Sequence, residues 1–164
     1  MIYKIRVILD AEEDVFRDLE INAESTLEEL HNSITQSFGF LGNEMASFYT
    51  VDEKWNQEEE IPLFDIREQD ETVRLMHDTL LCDVMDEQAP KLLYVYDFLN
   101  MWTFFVELAD IVAREDGGNY PNLLFSFGEL PDTPPEKQFE ADPDQGMDEP
   151  FGSYDDLDFE ENWN

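Results

Sequence analysis

The sequence predicts an α+β protein. A single domain over residues 1–128 carries a mixed or mainly antiparallel sheet of about five strands with two or three helices on one face, and residues 129–164 form an acidic tail, largely disordered or docked. Three observations support this division. Residues 91–111, KLLYVYDFLNMWTFFVELADI, alternate with a period of two, as paired strands do. Leu27, Leu30, Ile34 and Phe38 recur at spacings of three and four, the apolar stripe of an amphipathic helix. Beyond Gly128, Pro131, Pro134, Pro135, Pro143 and Pro150 punctuate a stretch of thirteen acids and one base, which holds −12 of the chain's −32 and leaves −20 on the preceding residues.

Taken in order, residues 2–9 place Tyr3, Ile5, Val7 and Leu9 on one face and Lys4 and Arg6 on the other, a half-buried strand. Residues 15–21 return with Val15, Leu19 and Ile21 sharing a face with Arg17, and the short connection suits an antiparallel hairpin. Ser25 and Glu28 form a capping box that starts the helix, and Gly39 stops it. Residues 47–51 are strand-like and 55–60 a polar loop. Residues 61–66 are a short edge strand, because Pro62 lacks the amide that a central strand needs. Residues 67–77 carry no readable pattern, and a two-turn helix over 79–85, capped by Asp78 or Thr79, ends before Pro90.

In the central hairpin, Leu92, Tyr94 and Tyr96 face one way and Leu93 and Val95 the other. Trp102, Phe104, Val106 and Leu108 then oppose Thr103, Phe105, Glu107 and Ala109, with residues 97–101 as the turn. Residues 123–127 add a last short apolar strand.

Forty-one Asp and Glu against nine Lys and Arg set the partner class. Direct nucleic-acid binding and anionic membrane surfaces are disfavoured by repulsion, so a basic protein is the expected partner, although an acidic surface also serves solubility alone. The hairpin matches a bilayer span in length, roughly 20 residues. Asp97, Asn100, Glu107 and Asp110 would then lie in hydrocarbon, each ionised one at about 2.5–3.5 kcal/mol. A single cysteine, Cys82, forms no internal disulfide, and MIYKIRVILD lacks the regions of a secretory signal, so a cytoplasmic location is expected.

No catalytic set, metal site or cofactor motif emerges. The histidines are His31 and His77; His77 and Cys82 lie five residues apart, but a lone cysteine beside a Leu-Leu pair reads as a small hydrophobe. Two histidines and one cysteine without close spacing do not make a zinc site. Asp142, Asp144 and Asp148 imitate a calcium loop, yet Gly146 is one position early and Ser153 stands where the bidentate acid belongs. The most specific local feature is the turn, where Asp97 beside Phe98 and Trp102 can hold a cation or cap the turn's own amides. With His31 these residues form the candidate ligand- or partner-binding site. In the tail, Phe151, Tyr154, Phe159 and Trp163 alternate with acids and are candidate docking side chains.

Several of these residues carry a family resemblance. Tyr96, Asp97, Phe98 and Trp102 match a Tyr-Asp-Phe-Gly-Asp-x-Trp turn, with Leu99 and Asn100 in place of its Gly and Asp. Leu30, His31, Ile34, Phe38 and Gly39 match Leu-His-x-x-Ile-Gln ending in Phe-Gly-Trp, and Pro134, Pro135 and Glu136 match a later Pro-Pro-Glu-Asp. Of a His-Leu-His-x-Phe segment only Phe48 remains. On these motifs residues 1–136 resemble the plasmid pRiA4b ORF-3-like family, whose members are also labelled insertion-element passenger or TnpR-like proteins. The resemblance implies a compact α+β domain and no established reaction; the resolvase-like label implies a serine recombinase, whose motifs this chain lacks.

The expected function is therefore a non-enzymatic cytoplasmic interaction module that binds a basic protein. The alternatives are a small enzyme or ligand-binding domain with a pocket near Asp97, Trp102 and His31, and a DNA mimic.

Overall fold

A computed structural model describes residues 1–64 and 74–134. The tail docking residues Phe151, Tyr154, Phe159 and Trp163, and the calcium-like acids, lie outside the described residues.

β1 (Ile2–Leu9) and β2 (Phe16–Asn22) form the first hairpin, and α1 (Leu27–Phe38) follows. β3 (Ala46–Val51) and β4 (Gln57–Pro62) form the second. A 3-10 turn (Met76–Asp78) and α2 (Leu81–Val84) lead to the central hairpin of β5 (Lys91–Tyr96) and β6 (Trp102–Val112), and β7 (Asn122–Phe127) closes the series. The seven strands make one sheet in the order β4-β3-β5-β6-β1-β2-β7, with every neighbouring pair antiparallel.

α1 covers one face. Its buried residues Leu27, Leu30, His31, Ile34, Thr35 and Phe38 meet the inward side chains of the sheet, with the Phe38 and Phe104 rings 4.8 Å apart. The predicted faces of the central hairpin hold: Leu92, Tyr94, Tyr96, Phe104 and Val106 are in the core. Burying each such side chain is worth about 1.5–3 kcal/mol, so this inner row supplies much of the driving force.

The opposite, outer face has its own order, which follows from the register. Tyr49, Leu93, Phe105, Ile8, Phe16 and Phe127 align in one apolar row across six strands. Beside it Lys91, Glu107, Arg6 and Asp18 align in a row of alternating sign that ends on Phe125. Cross-strand neighbours of opposite charge or shared apolarity each add a fraction of a kcal/mol, about 0.2–1.

Four expectations are corrected. The sheet has seven strands, not about five: the short strands read at residues 61–66 and 123–127 both join the one sheet, as its two edges β4 and β7. Residues 57–60 are not loop, and the strand read at 61–66 lies earlier: β4 spans Gln57–Pro62, with residues 65 and 66 outside the described residues, since pairing with β3 overrides the poor strand propensity of the three glutamates on this edge. The helix cap is Thr26 with Glu29, one residue later than Ser25 with Glu28. Both pairs fit the same motif, and the Ser25 amide is already held by the Asn22 carbonyl. The second helix is a single turn; Thr79 donates its hydroxyl to the Leu75 carbonyl and caps nothing, while residues 79–82 bond to the chain around 23–27.

Arg17 is the polar anchor of this architecture. It sits on the apolar face of β2 and is buried, with Nε donating to the Ser37 carbonyl at 2.9 Å. Its Nη1 donates to the carbonyls of Phe16, Phe127 and Gly128. The guanidinium thus meets the carbonyl end of α1, which has no basic residue in its last turn, and ties it to β7. Burial lowers its pKa, and the Phe38 ring lies 4.5 Å from its Cζ.

Candidate functional site

The turn between β5 and β6 is organised by Asp97. Its backbone takes φ +67°, a left-handed conformation that Asp tolerates better than most residues. Its amide donates to the Met45 carbonyl at 2.7 Å. The carboxylate accepts from the Leu99 amide at 3.2 Å and from Asn100 Nδ2 at 2.6 Å. Both carboxylate oxygens are therefore engaged in shaping the turn. Phe98 is half-buried at its base, and Leu99 at the tip is 92% exposed.

His31 is on the buried side of α1, between the helix and Tyr94 of β5, and only 1% exposed. The Tyr94 hydroxyl is 2.6 Å from its Nδ1, which fits a neutral ring protonated at Nε2. Burial lowers the His31 pKa to about 4 and raises that of Tyr94 well above its usual range.

His31 and Trp102 belong to one aromatic layer, in which Tyr96 is 6.4 Å from His31 and Phe40 lies 4.5 Å from Tyr96 and 5.3 Å from Trp102. Phe40 fills the space between them, placed there by the left-handed Gly39 that ends α1. Asp97 points its carboxylate into the turn instead of into this layer.

The other titratable candidates are similarly occupied. His77 is exposed with its Nδ1 3.0 Å from Asp78 Oδ1, and Cys82 is half-buried with its thiol pKa raised by burial and by Asp83, the reverse of an activated nucleophile. Among the described residues no three His, Cys, Asp or Glu side chains converge to hold a metal ion. No helix among them is long and apolar enough to cross a membrane.

A second feature went unread in the sequence. β7 was predicted as an apolar strand, but Leu123, Leu124, Phe125 and Phe127 are 44–51% exposed. Phe125 and Phe127 stack beside Phe16, at 5.9 and 5.4 Å, and Arg6 lies over the far side of the outer row with its Cζ 4.1 Å from the Phe16 ring. An open groove of about 360 Å³ runs along this end of the outer face, between Lys4, Arg6, Asp18, Glu107, Asp110 and Leu124. Apolar composition reports that a strand is sticky and does not report whether anything covers it.

Among solved structures the fold is similar to a protein of unknown function, MM3350, from Methanosarcina mazei Go1. The two share 20% identity and a TM-score of 0.67, over 76% of this chain and 68% of that one. No curated protein matches the chain. The model of the plasmid pRiA4b ORF-3-like protein family matches residues 1–137. That span includes the turn, the helix and the whole sheet, and the chain belongs to the plasmid pRiA4b ORF-3-like family.

Proposed function

We propose that this protein is a non-enzymatic cytoplasmic interaction module whose acidic surface binds a basic protein partner. One observation carries the reading: five of the seven Lys and Arg among the described residues are engaged within the fold, which leaves few cations to offset the acids at the surface. Arg6 pairs with Asp18 at 2.8 Å and Arg74 with Glu59 at 2.7 Å. Arg17 is buried among carbonyls, Lys91 donates to the Glu53 carbonyl and lies over Trp55, and Arg114 lies over Tyr120. A net charge of −32 then steers cationic proteins and repels nucleic acid.

The pocket reading loses support because its groups have structural work, Asp97 in the turn and His31 with Tyr94. DNA mimicry calls for rows of acids at phosphate-like spacing, and the outer face offers a row of alternating sign instead.

Titration of the full chain with a folded basic protein such as cytochrome c tests the proposal. Association that weakens steeply as salt rises is the expected result, and absence of binding at low ionic strength sinks it. Capture from cytoplasm with the full chain and with a chain stopped after residue 136 then separates a partner held by the tail from one held by the domain.

A further inference from the structure

The two edges of the sheet are built differently. β4 carries Glu58, Glu59 and Glu60 and ends in Pro62, and Arg74 clamps Glu59 through bonds of 2.7 and 2.9 Å. Charge and proline on an edge are devices against strand addition. β7 has neither, and its one irregularity is the register shift that skips Leu124: all six residues are exposed, none is charged, and its outward row of backbone groups meets no partner strand among the described residues.

The strand is nonetheless held firmly. Arg17 bonds the Phe127 and Gly128 carbonyls at 3.1 and 3.0 Å, and Phe16 stacks on Phe127. A pre-positioned edge loses little conformational freedom when another strand joins it. The apolar outer row also stops at Phe127, where an added strand would continue it.

Charge decides what the added strand is. Glu115 and Asp116 precede β7, Glu129 and Asp132 follow it, and Glu20 lies on the neighbouring β2, where Asp18 is already offset by Arg6. Residues 129–164, at −12, and a second copy, at −32, would both approach against like charge.

We propose that β7 receives an extended segment of the basic partner by strand addition, with apolar side chains continuing the row past Phe127 and Lys or Arg at both ends meeting the flanking acids. This rests on the basic-partner reading and adds where the partner binds and in what conformation.

The test uses the full chain and a labelled peptide, Lys-Lys-Val-Thr-Val-Thr-Val-Thr-Lys-Lys, against the same peptide with two threonines replaced by proline, which keeps the charge and abolishes pairing. At physiological salt the parent peptide binds at least tenfold tighter and slows amide exchange across residues 122–127. Phe125→Glu weakens it at least fivefold, while Leu99→Glu, the same charge change on the exposed turn tip, does not. Equal binding of both peptides, with Phe125→Glu no weaker, means charge alone holds them: the β7 proposal falls and the basic-partner reading stands. If neither peptide binds even at low salt, both fall. A concentration-dependent dimer that protects residues 122–127 without peptide overturns the proposal in favour of a second copy.

Discussion

Replacing His31 by Gln removes a titrating group from the core while leaving Tyr94 a hydrogen-bond partner. In the native protein the ring is held neutral, with a pKa of about 4 caused by burial. In the unfolded chain it returns to about 6.5. Above pH 6.5 both states carry the neutral ring and the native contribution is complete. As pH falls, the unfolded chain takes up a proton that the fold refuses, and stability is lost until pH approaches 4. Linkage puts that loss at about 2 kcal/mol by pH 5 and about 3 kcal/mol by pH 4. Protonation of the many carboxylates acts in the same range, but it is common to both proteins and cancels in their difference. Urea unfolding of wild type and His31→Gln from pH 8 to 5 therefore shows the wild-type advantage shrinking by about 2 kcal/mol. A difference that stays flat within about 0.5 kcal/mol would refute the claim that His31 is buried neutral.

Other substitutions address the anchors. Arg17→Met removes the donor to four carbonyls and costs about 2–4 kcal/mol in urea unfolding, with amide exchange accelerating first across β7. Gly128 has φ +79°, and a Cβ there would stand 2.6 Å from the Asp14 carbonyl oxygen and 3.1 Å from Val15 Cα; at Gly117, with the same φ, nothing lies within 4 Å. Gly128→Ala is thus expected to lower the melting temperature clearly more than Gly117→Ala, which carries only the conformational cost of about 1–2 kcal/mol. Asp97→Ala, which leaves the Leu99 amide and Asn100 Nδ2 without their acceptor, destabilises by about 1 kcal/mol, whereas Asp97→Asn keeps an oxygen for the Leu99 amide and loses less; equal losses would mean that the second oxygen, which accepts from Asn100, holds the turn. Because −20 resides on residues 1–128, the melting temperature rises from low to physiological salt, and a flat profile would mean the acids are compensated.

Much of the sheet was legible because its central strands announce themselves on both faces. Leu92, Tyr94 and Tyr96 alternate with Leu93 and Val95 in a short apolar run bounded by Pro90 and the turn at Asp97, with β-branched and aromatic residues that favour a strand over a buried helix. Arg17 could be assigned to the apolar face of β2 from alternation alone, although its carbonyl partners at residues 37, 127 and 128 come from distant parts of the chain. The edges were harder. β4 is held by backbone pairing to β3, to which side-chain pattern is blind, and β7 reads identically whether covered or bare. At the candidate site the sequence identified Asp97, Phe98, Trp102 and His31 as special, and their proximity along one hairpin and one helix suggested a pocket. The folded layer is closed by Phe40, whose position depends on the αL turn at Gly39 and has no signature in hydrophobic periodicity.

The place of β1 between β2 and β6 has a consequence during synthesis. β2 follows β1 within a few residues, but β6 begins at residue 102. At about 5–20 residues per second, on the order of 4–18 s separate the emergence of the two neighbours. Through that interval the nascent first hairpin and α1 expose one whole edge of β1, with Ile5 and Val7 on its apolar face. The ribosome-bound chain therefore passes through an open-edged stage before β6 arrives, and a chaperone that shields extended apolar strands would find its target there.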